Sequence, residues 1–214
     1  MTRDPRPLGL GAAAIIAGHA VVVGLISAAA GAGDLSPPEV VPAPLTLAAL
    51  LSLPAGIAAI GAWRRSGPIL AAAGVLCLVQ SVIAFSGVTI PFVVPGILLL
   101  GVAGRSGMDA PAGRAATIGA IIVVVLAVAS WLAYFGMTET ACWIARSGPS
   151  GELVYRLAPV SDSGTLAIDD VASGCDGGAR TLEGVALATV LAIGAVAVAA
   201  MSSRPTPTAL GSRP

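Results

Sequence analysis

The sequence predicts an all-α membrane protein: a six-transmembrane-helix bundle with a small disulfide-linked, β-rich exoplasmic loop between the fifth and sixth helices. Three observations predict it. First, only 10% of the 214 residues are charged and 56% are hydrophobic, with a mean hydropathy of +0.93, whereas a soluble domain carries roughly a quarter charged residues. Second, the apolar residues fall in continuous charge-free runs, without the alternation of an outer-membrane β-barrel. Third, one polar segment between the last two runs holds Cys142 and Cys175. The same composition excludes a disordered chain and a nucleic-acid binder, which need high charge or a basic excess. All 11 basic residues are Arg, and with Ala, Gly, Val and Leu so abundant the chain reads as bacterial, from a GC-rich genome.

Six runs without Asp, Glu, Lys or Arg cover 8–30, 45–62, 69–86, 88–104, 116–135 and 184–201. A helix of roughly 20 apolar residues crosses a hydrocarbon core of about 30 Å. The first run follows Arg3 and Arg6 and ends near Ala28-Ala29-Ala30. That pattern also fits a signal peptide, but the run is longer than a usual signal h-region, which favours an uncleaved span. In the second run, Pro54 predicts a kink. The third and fourth runs form one block too long for a single straight helix, so a tight turn near 86–91 divides them. Pro91 then falls in the first turn of the fourth helix, where a missing N–H costs little, and Pro95, one turn deeper, predicts a second kink. Trp63, Trp131, Tyr134 and Phe135 sit at span ends, as interfacial aromatic belts require.

Orientation follows from Arg. With the N-terminus inside, Arg3, Arg6, Arg64, Arg65, Arg105, Arg114, Arg204 and Arg213 are cytoplasmic, and only Arg146, Arg156 and Arg180 are outside. That agrees with the positive-inside bias. A five-span alternative spoils the pattern. The expected organisation is a five-helix transmembrane region (1–135), an exoplasmic β-hairpin cap (136–181), a sixth transmembrane helix (182–201) and a disordered cytoplasmic tail (202–214). The expected location is the plasma membrane, multi-pass, with both termini cytoplasmic. Small residues at four-residue spacing (Ala20, Gly24, Ala28; Ala55, Ala59; Gly184, Ala188, Ala192) predict close helix packing within the bundle.

In the polar segment, 140–146 and 152–157 read as a hairpin across Ser147-Gly148-Pro149-Ser150-Gly151, with a third short strand at 165–171. On the oxidising side of the membrane, Cys142 and Cys175 form a disulfide. No C-x-x-C is present, so the pair reads as structural. Closing this loop stabilises the cap by roughly 3–4 kcal/mol in the chain-entropy model. Cys77, mid-span, behaves as a small apolar residue. Thr181 and Glu183 suit the start of the last helix as N-cap and dipole partner.

Candidate chemistry is sparse. His19, the sole histidine, and Gln80 are the strongly polar side chains at depth and form a candidate polar core pair. No carboxylate accompanies them, so no metal, cofactor or proton relay is expected. The acids around Cys175 match no calcium loop and read as a solvated surface. Gly9-Leu10-Gly11 has the letters of a dinucleotide fingerprint but opens an apolar span, without the strand that motif needs. The expected function is therefore non-catalytic. Its partners are the lipid bilayer and a membrane or exoplasmic protein met by the cap, for partner interaction or complex stabilisation. The alternative is a small permease or transport subunit using the proline-broken helices.

Overall fold

A computed structural model of the chain describes residues 6–32, 44–83, 90–107, 114–158 and 170–203. These are mostly helical, with a small antiparallel sheet. In chain order the elements are α1 (Arg6–Ala32), α2 (Pro44–Leu51), α3 (Leu53–Arg64), α4 (Gly67–Ile83), a 3-10 turn (Ile90–Phe92), α5 (Val93–Gly107), α6 (Arg114–Gly136), β1 (Thr138–Ser147), β2 (Leu153–Ala158), β3 (Asp170–Arg180) and α7 (Leu182–Ser202). Among the described residues, four helices are long and apolar enough to cross a membrane: Arg6–Ala28, Thr46–Arg64 (α2 with α3), Arg114–Gly136 and Leu182–Ser202. Helices α4 and α5 are apolar but shorter, at 17 and 15 residues. The turn expected between the third and fourth runs falls mostly at 84–89, outside the described residues, as does the tail from 204.

By contacts the chain divides into two compact units. Unit 1 comprises Met1–Ala20, Leu51–Val128 and Leu191–Pro214; unit 2 comprises Val21–Leu50 and Ala129–Val190. Within unit 1, Ile16, Ile57, Ile69, Leu70, Leu76, Phe92 and Leu99 are buried. Helix α3 ends at Arg65, whose backbone is left-handed at φ 56°, and the Ser66 N–H bonds to the Gly61 carbonyl at 2.9 Å. This closes the helix with an i−5 bond of the Schellman kind and turns the chain into α4. Helices α4 and α5 run antiparallel and meet at two glycines. A Cβ on Gly74 would come within 2.9 Å of the Gly96 carbonyl oxygen, and one on Gly96 within 3.1 Å of the Gly74 carbonyl oxygen. Only backbone fits there. These glycines lie outside the small-residue series of the sequence, which follows spacing within one helix, whereas this contact is between helices.

Within unit 2, α6 and α7 are joined by a buried hydrogen bond: the Ser130 hydroxyl donates to the Ala188 carbonyl at 2.7 Å. The sheet rises from the ends of these helices in the order β2-β1-β3, all antiparallel. Two of the expected strands are present, β1 with wider limits than 140–146 and β2 displaced by one residue from 152–157. The third, expected at 165–171, lies mostly outside the described residues, and the third strand among them is Asp170–Arg180. Its Ser-Gly-Cys-Asp-Gly-Gly stretch has poor strand propensity. Pairing with β1 and the disulfide hold it extended, and neither appears in local composition.

The Gly74–Gly96 crossing predicts a contrast between two glycines of the same helix pair. Gly74→Ala should destabilise the protein by about 1–3 kcal/mol through overpacking. Gly101→Ala on α5, where a Cβ meets nothing within 4 Å, should be neutral or stabilising by up to about 1 kcal/mol through helix propensity. Denaturant titration in detergent micelles measures both; equal effects would refute the crossing.

Candidate functional site

The polar side chains of the helices are directed at backbone carbonyls. The clearest case is the break between α2 and α3. Pro54 has no N–H for the Leu50 carbonyl. The Ala55 N–H, which in an unbroken helix would serve Leu51, bonds instead to Ser52 at 2.9 Å, and Gly56 also bonds to Ser52 at 3.2 Å. Two carbonyls are thereby released. In unit 2, the Trp131 indole N–H donates to the Leu50 oxygen at 3.2 Å. In unit 1, Gln80 Nε2 donates to the Leu51 oxygen at 3.4 Å. Both side chains are buried, Trp131 at 1% and Gln80 at 2% exposure. A carbonyl left bare in an apolar interior costs on the order of 1–3 kcal/mol, so each donor has a definite structural task. Gln80 Oε1 has no hydrogen-bond partner among the described residues.

The His19 ring meets Phe92 edge-on, with centroids 4.9 Å apart and planes at 79°, and Gln80 Nε2 donates to the Leu51 carbonyl. Trp131 and Tyr134 are buried, at 1% and 2%, rather than facing outward as belt residues; Trp63 is 71% exposed. An indole N–H with a carbonyl to satisfy turns inward. Pro54 lies at the start of α3, just after the break. Pro91 sits in the 3-10 turn, and Pro95 lies in the first turn of α5, because the α-helix proper begins only at Val93. There the missing N–H would have had no intrahelical partner. Cys77 is a buried free thiol. Among the described residues, no group of three or more His, Cys, Asp or Glu is placed to hold a metal ion.

The sheet is the second feature. Cys142 and Cys175 are direct cross-strand partners in the β1–β3 register, with Cα atoms 4.0 Å apart, and they form the disulfide. Cys142 is buried and Cys175 exposed. Beside them Trp143 pairs with Gly174, and a Cβ at Gly174 would come within 2.9 Å of the indole, so the ring covers the glycine. The β1–β2 turn needs glycine at Gly151, where φ is +82°. The Ser150 hydroxyl, aided by backbone N–H groups, holds the exposed Glu152 carboxyl below the usual carboxylate range.

The base of the sheet is tied to the helices. Thr138 pairs with Arg180, the Thr181 N–H bonds to the Met137 carbonyl at 3.2 Å, and Arg180 Nη1 donates to the Phe135 carbonyl at 3.2 Å. The Arg180 guanidinium also lies over the Tyr134 and Phe135 rings, 5.2 and 5.3 Å from their centroids. Thr181 caps α7 by accepting the Gly184 N–H at 3.0 Å, with Glu183 in the first turn, as the residue types predict. The far edge of the sheet is β2, where Leu153 and Val154 are 39% and 51% exposed.

The third feature is an apolar groove of 340 Å³ in unit 1, walled by α4 and α6 and lined by residues including Ala71, Val75, Ile121 and Val125. Sequence reasoning missed it, since it depends on which helices are neighbours. It also missed the Trp131 bond, although a signal was present: a proline inside an apolar run frees a carbonyl that must find a donor. No protein-family model, curated protein or solved structure matches the chain.

The two donors predict unequal mutational effects. Trp131→Phe strips the Leu50 carbonyl of its donor and should cost about 1–3 kcal/mol. Gln80→Leu removes a long bond but also a buried oxygen without a partner, and should cost less than about 1 kcal/mol. Pro54→Ala restores an N–H for Leu50, so it should recover part of the Trp131→Phe loss. A double-mutant cycle on unfolding free energy reads this coupling; strict additivity would show that the indole bond is not a response to the proline.

Proposed function

We propose that this chain is a six-span, non-catalytic protein of a bacterial plasma membrane, with both termini cytoplasmic. Its disulfide-closed sheet is an exoplasmic cap that meets a membrane or exoplasmic partner or stabilises a complex. The observation that carries this reading is the cap itself. A three-stranded sheet is covalently closed by Cys142–Cys175 and bonded at its base to the ends of α6 and α7. Disulfides persist on the oxidising side of membranes. A rigid module fixed to two helices, with exposed Leu153 and Val154 on an edge strand, suits a protein contact by strand addition.

The topology is supported by the Arg bias of the sequence alone: eight Arg fall on the segments assigned to the cytoplasm and three on those assigned outside. The short helices α4 and α5, packed antiparallel at Gly74 and Gly96, serve as the third and fourth spans. The permease reading draws no support from the prolines: Pro91 and Pro95 lie at the start of a helix, and the carbonyls freed near Pro54 are taken by Trp131 and Gln80.

A photo-crosslinking residue at Val154 should capture a discrete protein partner in native membranes, and the same probe at exposed Thr138, at the base of β1, should not. Cys142→Ser with Cys175→Ser should weaken that capture and lower the stability of the cap by about 3–4 kcal/mol. Non-reduced peptide mapping should recover the intact disulfide. Two free thiols, or no capture at Val154 across independent preparations, would overturn the proposal.

A further inference from the structure

We propose that the groove between α4 and α6 seats one acyl chain of an anionic phospholipid, with Arg114 at its mouth holding the headgroup phosphate. This rests on the membrane reading above and goes beyond it.

The lining decides the kind of occupant. Pro68, Ala71 and Val75 of α4 face Thr117, Ile121 and Val125 of α6 across a volume of 340 Å³. There is no charge, and Thr117 supplies the one hydroxyl. Small and branched side chains at i, i+3 or i+4, and i+7 or i+8 form a continuous apolar wall on each helix. Such a wall offers an alkyl chain contact area and offers a polar ligand nothing.

Length separates a lipid from a helix. Residues 117–125 span about 12 Å of helix axis, close to half of a hydrocarbon core about 30 Å thick. The groove is therefore one leaflet deep. A transmembrane helix from a second copy would need a seam along the full thickness, whereas one acyl chain needs one leaflet.

Charge selects the headgroup. Arg114 is the first residue of α6 and lies three positions before Thr117, so the two share a helix face. Arg114 is exposed. Pro68 lies in the first turn of α4, which begins two residues after Arg65, so both helices that wall the groove begin at or near arginine. Neither has an acidic residue in its first turn. A guanidinium fork matches phosphate oxygens, and the α6 N-terminal N–H groups add to the same potential. An apolar slot one leaflet deep, opening at arginine, is complementary to an anionic lipid at both ends.

Native mass spectrometry of the full chain in micelles, with phosphatidylglycerol and phosphatidylcholine of equal chain length, tests this. Both lipids carry the phosphate, but the choline cation of phosphatidylcholine opposes the Arg114 charge, so wild type should retain phosphatidylglycerol about tenfold over phosphatidylcholine. Arg114→Gln should bring that ratio close to one. Ala71→Leu and Val125→Phe, each checked for helicity by circular dichroism, should reduce retention of both lipids. Equal retention by wild type, a preference that survives Arg114→Gln, or full retention in a folded groove-filling variant would overturn the site. So would a dimer that forms in place of lipid binding. Vesicle flotation separates the two claims: a chain that fails to float refutes membrane insertion, and one that floats without lipid preference refutes the groove alone.

Discussion

An apolar surrounding does not supply hydrogen-bond partners, so each backbone group within it must find one in the protein. The helices of this chain follow from that constraint, and so does the use of their few polar side chains. Ser81 donates to the Cys77 carbonyl, Thr189 to Val185 and Ser202 to Val198, each one turn back along its own helix. Ser130 reaches across to Ala188. Trp131 and Gln80 serve the carbonyls released near Pro54. Trp131, Gln80 and Ser130 are buried, each bonded to a carbonyl outside its own helix.

The cap meets the same requirement by other means. Its backbone groups pair across three strands, and a strand as glycine-rich as β3 stays extended because β1 pairs with it and the disulfide pins it. The contacts among Thr138, Arg180, Thr181 and Met137 link the sheet to α6 and α7 at the point where helix gives way to strand. The sheet is thereby joined to two long helices through a short, hydrogen-bonded base.

Much of this was legible in the sequence, for a physical reason: burial in an apolar medium suppresses charge and leaves long runs that mark helices. The runs, the hairpin, the Cys142–Cys175 bond and the Thr181 cap all rest on local residue type or on a forced choice between few cysteines. What escaped depends on which elements are neighbours. Gly74 and Gly96 are 22 residues apart in sequence and meet only because α4 and α5 are antiparallel. The groove needs α4 beside α6. The Phe92 ring beside His19 and the Leu51 carbonyl beside Gln80 likewise depend on which helices are neighbours. Trp131 reads as a belt residue until Pro54 is recognised as creating an acceptor for it.

The central claim is sidedness: a disulfide-closed sheet on one side of a membrane and the arginine-bearing helix ends on the other. Cysteine accessibility measures it directly. In a Cys77→Ser background, single cysteines placed by Pro149→Cys, in the β1–β2 turn, and Ser66→Cys, between α3 and α4, are exposed to a membrane-impermeant maleimide. The account predicts that the cysteine at 149 is labelled in intact cells and the one at 66 only after permeabilisation. Labelling of both in intact cells, or the reverse order, would contradict it.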